Sequence, residues 1–334
     1  MDRVARSAPA TAGMVYRAAA PEDLAACAGI WRTSINAYTR RLGQMEIPPE
    51  LNQITRLFMH LRSTDPERFV VALGPDDADR IVAFAAAVAR EGLWYLSMLF
   101  VLPEFQGSGL GRELLARVMP PDPPDGAAFR GTATDSAQPI SNALYASYGI
   151  VPRMPLLSLT GLPQRPEAFG TLPSGVVAIG FDEIAAGPPD AGVDVGGDGL
   201  GHRMLVEAVD GLDRDLLGVA HPVDHGFLRS ESRHGWLYRG PDGTPVAYGY
   251  AGESGRVGPV AVRDEALLGP VLGHLTSAVV PRGAFALWVG GAADRALVPA
   301  LQAGFRLDPF PVLLCWDRPF ADFSRYLPIG PGLL

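Results

Sequence analysis

Apolar residues recur along the chain in two rhythms, short unbroken runs and stripes spaced three or four apart, and each change of rhythm marks an element. The run Val15–Ala18 predicts a short strand. Pro21, Glu22 and Asp23 then open a predicted helix over 21–38, with proline and two acids in the first turn, where the helix dipole favours them. A second helix is predicted over 48–62, its apolar face made by Leu51, Ile54, Leu57, Phe58 and Leu61, and the Asp65-Pro66 step breaks it. Phe69–Leu73 and 80–89 read as strands around Gly74-Pro75-Asp76-Asp77, and Leu93–Val101 as a third. The proline-rich 120–124 is loop, 127–133 strand, 139–148 helix and 151–159 strand.

Within this series, residues 93–118 combine an apolar strand, the loop Gln106-Gly107-Ser108-Gly109-Leu110-Gly111, and a segment of good helix formers. Glycines at 107, 109 and 111 permit positive φ and let the backbone approach a ligand. The loop amides and the positive end of the following helix therefore suit a phosphate or diphosphate. A dinucleotide fingerprint is disfavoured because Arg112 stands where its third glycine belongs. A P-loop is excluded because the chain has no lysine. The remaining pattern, Gln/Arg-x-x-Gly-x-Gly, resembles the diphosphate loop of the GNAT N-acetyltransferases, which grip acetyl-CoA. The element order over 14–160 is similar to that fold, and Leu144-Tyr145-Ala146-Ser147-Tyr148-Gly149-Ile150 resembles the family's Leu-Tyr-x-x-x-Gly-Phe motif with Ile for Phe.

Beyond a proline-punctuated linker at 161–175, the pattern recurs in eroded form. Strands are predicted at 176–179, 235–239, 246–250, 257–262 and 284–289, and helices at 200–217, 267–279 and 295–302. The expected architecture is α+β: two tandem GNAT-like domains, each a mixed, mostly antiparallel sheet flanked by helices, at 14–160 and 176–334, after a disordered leader at 1–13. The second copy has Arg263-Asp264-Glu265-Ala266 where the glycine loop belongs and Ala300 in the place of Tyr145, so it reads as degenerate. Gly197-Asp198-Gly199-Leu200-Gly201 imitates the loop, but Asp198 sets a carboxylate where a phosphate would bind.

Composition narrows the partners. Residues 1–160 hold 15 arginines against 16 acids and 161–334 hold 13 against 20, for a net charge of −8. Nucleic acid is an improbable partner for such a chain, whereas a cationic amine is favoured. Without lysine there is no Schiff-base chemistry. Cys27 and Cys315 have no metal-ligand spacing, so a reducing cytoplasm is expected. The apolar runs are too short for a membrane span. His221 and His225 lie four apart around Asp224, but Pro222 and Gly226 argue against a regular helix there, so no metal site is expected. The oligomeric state is not readable.

The resemblance implies an acetyl-CoA-dependent N-acetyltransferase acting on a primary amine of a small acceptor. It places Gln106, Gly107, Ser108, Gly109, Leu110, Gly111 and Arg112 on the diphosphate, Gln138 near the pantetheine arm in place of the usual Asn, and Leu99, Phe100 and Val101 by main chain at the thioester carbonyl. Tyr145 is the expected proton donor to the departing thiolate, since a phenol stays protonated at neutral pH. Leu93–Val101 carries no carboxylate, leaving Glu91, Glu104, a water relay or an acid of the second domain as base. The alternative is a silent module that binds CoA or a partner.

Overall fold

Strands β1 (Val15–Ala18), β2 (Phe69–Leu73) and β4 (Leu93–Val101) form where their apolar runs place them, and β3 (Ile81–Arg90) is displaced by one residue. The computed structural model describes residues 11, 13–75, 77, 79–119, 129–186 and 199–334. The expected leader at 1–13 lies almost wholly outside the described residues, as does the loop at 120–124. Contacts divide the chain into two compact units, 1–89 with 94–128, and 90–93 with 129–334.

In the first unit the sheet order is β1-β2-β3-β4, with β1–β2 and β2–β3 antiparallel. Helices α1 (Leu24–Thr39) and α2 (Asn52–Thr64) begin later than their sequence signals, because Pro21–Asp23 forms a separate 3-10 turn and 48–51 stays irregular. The core is aromatic. Phe84 stacks on Phe69 and Phe100 at 5.7 and 5.8 Å, and Phe58 meets Phe84 edge-on at 5.2 Å. Helix α3 (Leu110–Val118) buries Leu110, Leu114, Leu115 and Val118. Buried Ser34 on α1 donates to Val101 O at 3.0 Å and so fixes the end of β4. Ser34→Ala is expected to destabilise by about 1 kcal/mol, read as a lower urea midpoint at unchanged slope.

The second unit contains β5 (Phe129–Asp135), α4 (Pro139–Ala146), β6 (Val151–Gly161) and β7 (Val177–Gly180). Helices α5 (Phe181–Ala186), α6 (Leu200–Leu216) and α7 (Pro222–Ser230) precede the strands β8 (Arg233–Arg239), β9 (Pro245–Gly252) and β10 (Arg256–Val262). Then come α8 (Leu268–Ala278), β11 (Phe285–Gly290), α9 (Asp294–Ala303), β12 (Arg306–Leu307), β13 (Val312–Trp316) and β14 (Tyr326–Leu327). The sheet order is β5-β13-β6-β11-β10-β9-β8-β7. Antiparallel pairing prevails except between β10 and β11, where α8 supplies the crossover that a parallel pair needs.

This architecture is mixed α+β, with sheets flanked by helices, as the duplication implies. The order β7-β8-β9-β10 repeats β1-β2-β3-β4. Three strands, β12, β13 and β14, lie outside the sequence expectation. β13 pairs with both β5 and β6, so a strand from beyond residue 310 separates two strands of the first copy. The expected linker is also well anchored: Phe169 is buried and meets Phe305 edge-on at 6.2 Å. Helix α7 corrects the reading of 221–226. Pro222 occupies the first helical turn, where its missing N–H costs nothing, and Gly226 continues the helix. No helix among the described residues is long and apolar enough to cross a membrane.

Candidate active site

After β4 the chain turns through Pro103–Phe105, with Phe105 N–H donating to Leu102 O at 2.9 Å and Gln106 N–H to Pro103 O at 3.3 Å. Gly107 and Gly109 then adopt φ of +76° and +92°, a left-handed backbone that disfavours any side chain. A Cβ built on either meets nothing within 4 Å, so the space over the loop is open. Arg112 and Glu113 N–H donate back to Gly109 O, beginning α3. Among the described residues, the N–H groups of Gly107, Ser108, Gly109 and Gly111 find no acceptor. Four free amides at the positive end of a helix make an anion cradle, which is the chemistry a diphosphate needs.

The side chains around this loop are mostly braces. Ser108 Oγ donates to Phe105 O at 2.7 Å and accepts Leu110 N–H at 3.4 Å. Gln106 Nε2 turns back to Val101 O at 2.9 Å. Leu110 is buried and pins the loop to the core, while Arg112 is exposed on the first turn of α3. Arg117 lies over the Tyr16 ring at 3.7 Å and pairs with Glu113. Leu99 and Phe100 are half-buried and Val101 buried at the end of β4.

Tyr145 and Gln138 sit on α4 of the second unit. Gln138 is the N-cap of that helix, and its carbonyl accepts Asn142 N–H and Nδ2. Tyr145 is 5% exposed, and its phenol oxygen has no hydrogen-bond partner among the described residues. Burial, with a smaller effect of the Cys315 thiol, pushes the phenol above the ordinary tyrosine range. Burial likewise pushes Cys315 up to about 12. Both groups hold their protons across the physiological range. Asn142, which no sequence motif singles out, also bonds Asp135 O through Nδ2 at 3.0 Å, and its buried Oδ1 has no partner among the described residues.

Neither acid considered as a base is free. Glu91 accepts Arg214 at 2.8 Å and Ala220 N–H at 3.0 Å, and these bonds hold its carboxyl below the usual range. Glu104 pairs with Arg80 at 2.8 Å.

The equivalent region of the second copy is filled by the chain itself. β10 pairs with β11 only at Arg256 and Val257, and from Val260 onward that edge is taken by β14 through Val260–Leu327 and Ala261–Tyr326. Val262 N–H donates to Arg325 O at 3.0 Å. The Asp264 carboxylate accepts Ala266 N–H at 3.0 Å, occupying a helix start where a phosphate would otherwise sit. Of the imitation loop, Gly197 and Asp198 lie outside the described residues. A Cβ at Gly201 would stand 2.1 Å from Ile184 O, so that glycine serves the close approach of α6 to α5.

Comparison with known proteins agrees with this architecture. The acetyltransferase (GNAT) family model matches residues 32–149, a span that contains both the glycine loop and Tyr145. A protein from Pyrococcus horikoshii, solved as a candidate acetyltransferase, superposes with a TM-score of 0.66 at 14% identity, covering 94% of this chain and 93% of that one. A GCN5-related N-acetyltransferase from Sphaerobacter thermophilus gives a TM-score of 0.57 at 19% identity, covering 94% and 99%. No curated protein matches the chain in sequence.

Proposed function

We propose that this chain, whose residues 32–149 match the acetyltransferase (GNAT) family model, moves an acetyl group from acetyl-CoA to a primary amine of a small, cationic acceptor. The observation that carries the reading is the cradle at 107–111, where left-handed glycines leave the space over the loop open. Acetyl-CoA, when bound, supplies the activated thioester. The amides of Gly107, Ser108, Gly109 and Gly111 hold the diphosphate, and Arg112 adds positive charge at the same helix end. Leu99, Phe100 and Val101 are the main-chain candidates for the thioester carbonyl, Gln138 is assigned to the pantetheine arm, and Tyr145 gives its proton to the departing sulfur.

On this reading 14–160 is the working copy and 176–334 the degenerate one, its strand edge covered by β14. The acidic balance of the chain, −8 overall, favours approach of a cation. Direct attack requires the amine to arrive without its extra proton. Because Glu91 and Glu104 are both paired, a water relay fits that step better than either carboxylate.

Calorimetry with acetyl-CoA tests the cradle. The full chain is expected to bind one equivalent, and Gly109→Val to weaken binding about tenfold or more, since a left-handed non-glycine residue costs about 1–2 kcal/mol. Absence of heat with the wild type would sink the cofactor assignment. Binding without thioester turnover on a panel of polyamines, amino sugars and amino acids would instead identify a silent module.

A further inference from the structure

The core of the second unit holds a polar cluster that the acetyl-transfer chemistry does not use. Asp213 on α6, His221 at the N-cap of α7 and His225 one turn later are 0%, 2% and 3% exposed. Their inward atoms converge. Asp213 Oδ2 lies 2.8 Å from His225 Nε2 and 3.3 Å from His221 Nε2, and one ligand atom from each of the three residues lies within 4.8 Å of the others. With metal–ligand distances of roughly 2.0–2.1 Å, the edge of a tetrahedral zinc site is about 3.3 Å, so these atoms already stand close to ligand spacing. The Tyr326 hydroxyl, 3.4 Å from His221 Nε2, offers a fourth ligand atom.

The outer atoms are equally organised. His225 Nδ1 meets Tyr250 OH at 2.9 Å, and His221 Nδ1 faces Asp224 Oδ2 at 3.5 Å. Asp224 is itself gripped by Arg90 through two 2.8 Å bonds. The second Asp213 oxygen accepts Tyr248 OH at 2.5 Å. Both Nδ1 partners have oxygens that can accept a hydrogen bond, so each ring can carry its hydrogen on Nδ1 and turn the Nε2 lone pair inward. A carboxylate or hydroxyl behind each ligating histidine is the arrangement that orients imidazoles on a metal.

We propose that Asp213, His221 and His225, completed by Tyr326, form a buried structural site for a divalent transition metal, with zinc the best match. Two imidazoles and a carboxylate suit a borderline cation rather than calcium or magnesium, and the absence of an exposed corner suits a structural rather than a catalytic ion. The ion would replace the bonds now made between Asp213 Oδ2 and the two rings, and would tie α6 and α7 to the final strand β14.

The test is metal uptake by the full chain. Protein stripped by dialysis against a chelator is titrated with ZnCl2 by calorimetry, and CoCl2 is added in parallel to record visible ligand-field bands. The expected result is one equivalent of zinc and an intense tetrahedral cobalt spectrum, with affinity falling at least a hundredfold in His225→Gln and Asp213→Asn. Tyr250→Phe, a milder change for folding, is expected to weaken binding about 10- to 100-fold by removing the partner of His225 Nδ1. A wild type that takes up no zinc, or a Tyr250→Phe protein that binds zinc as tightly as the wild type, would overturn the proposal whether or not the ligand variants fold.

Discussion

Tyr145→Phe is expected to lower kcat by about 10²–10⁴-fold while leaving the affinity for acetyl-CoA within a factor of two or so, because a positioned general acid contributes that much to the chemical step. The structure makes this substitution informative. The phenol oxygen has no hydrogen-bond partner among the described residues, so its removal orphans no buried group and the melting temperature is expected to stay within about 0.5 kcal/mol equivalent of the wild type. A purely structural tyrosine would leave turnover as well as stability intact. Burial holds the phenol protonated well beyond its ordinary range, so the loss is expected to be uniform between roughly pH 6 and 9. A defect that grows toward high pH would point to another group as the acid. Kinetics at saturating acetyl-CoA, repeated across that range, supply the check.

The second large effect concerns stability. Arg90 and Asp224, 134 residues apart, form a bidentate pair at 2.8 Å whose side chains are 9% and 2% exposed. Asp224→Ala removes both 2.8 Å charge-assisted hydrogen bonds from a buried guanidinium, and the expected cost is roughly 3–5 kcal/mol in urea unfolding. Replacing both partners, as Arg90→Met with Asp224→Leu, is expected to recover part of that loss, because the desolvated guanidinium is removed together with the carboxylate that bonds it. Equal destabilisation in the single and double variants would show that the pair's geometry, rather than the desolvated guanidinium, carries the energy.

How much of this was legible beforehand follows from the range of the interactions involved. The loop 106–111 could be read because its determinants are local: glycines where φ is positive, a strand before and a helix after. Tyr145 could be named from a seven-residue motif, and its burial is a property of α4 and the neighbouring Cys315. Ser108 and Glu91 were harder. Their residue types suit a phosphate donor and a base, yet the hydroxyl is spent on Phe105 O and the carboxylate on Arg214, partners that residue type does not reveal. His221 and His225 were set aside because proline and glycine oppose a mid-helix position. Pro222 instead opens the helix, and Asp213, eight residues upstream on another helix, completes the cluster.

The sequence by itself determined the α+β class, nearly every strand of the first copy, the duplication and the glycine loop, because hydrophobic period and turn chemistry act over a few residues. Only the tertiary structure decided that β13 enters between β5 and β6, that β14 seals the edge of β10, and that Arg90 meets Asp224. Strand pairing and buried charge are settled by which surfaces remain unsatisfied once the local elements exist. Those surfaces come from segments more than a hundred residues apart in the case of β13 and Arg90, a distance over which no periodicity carries information.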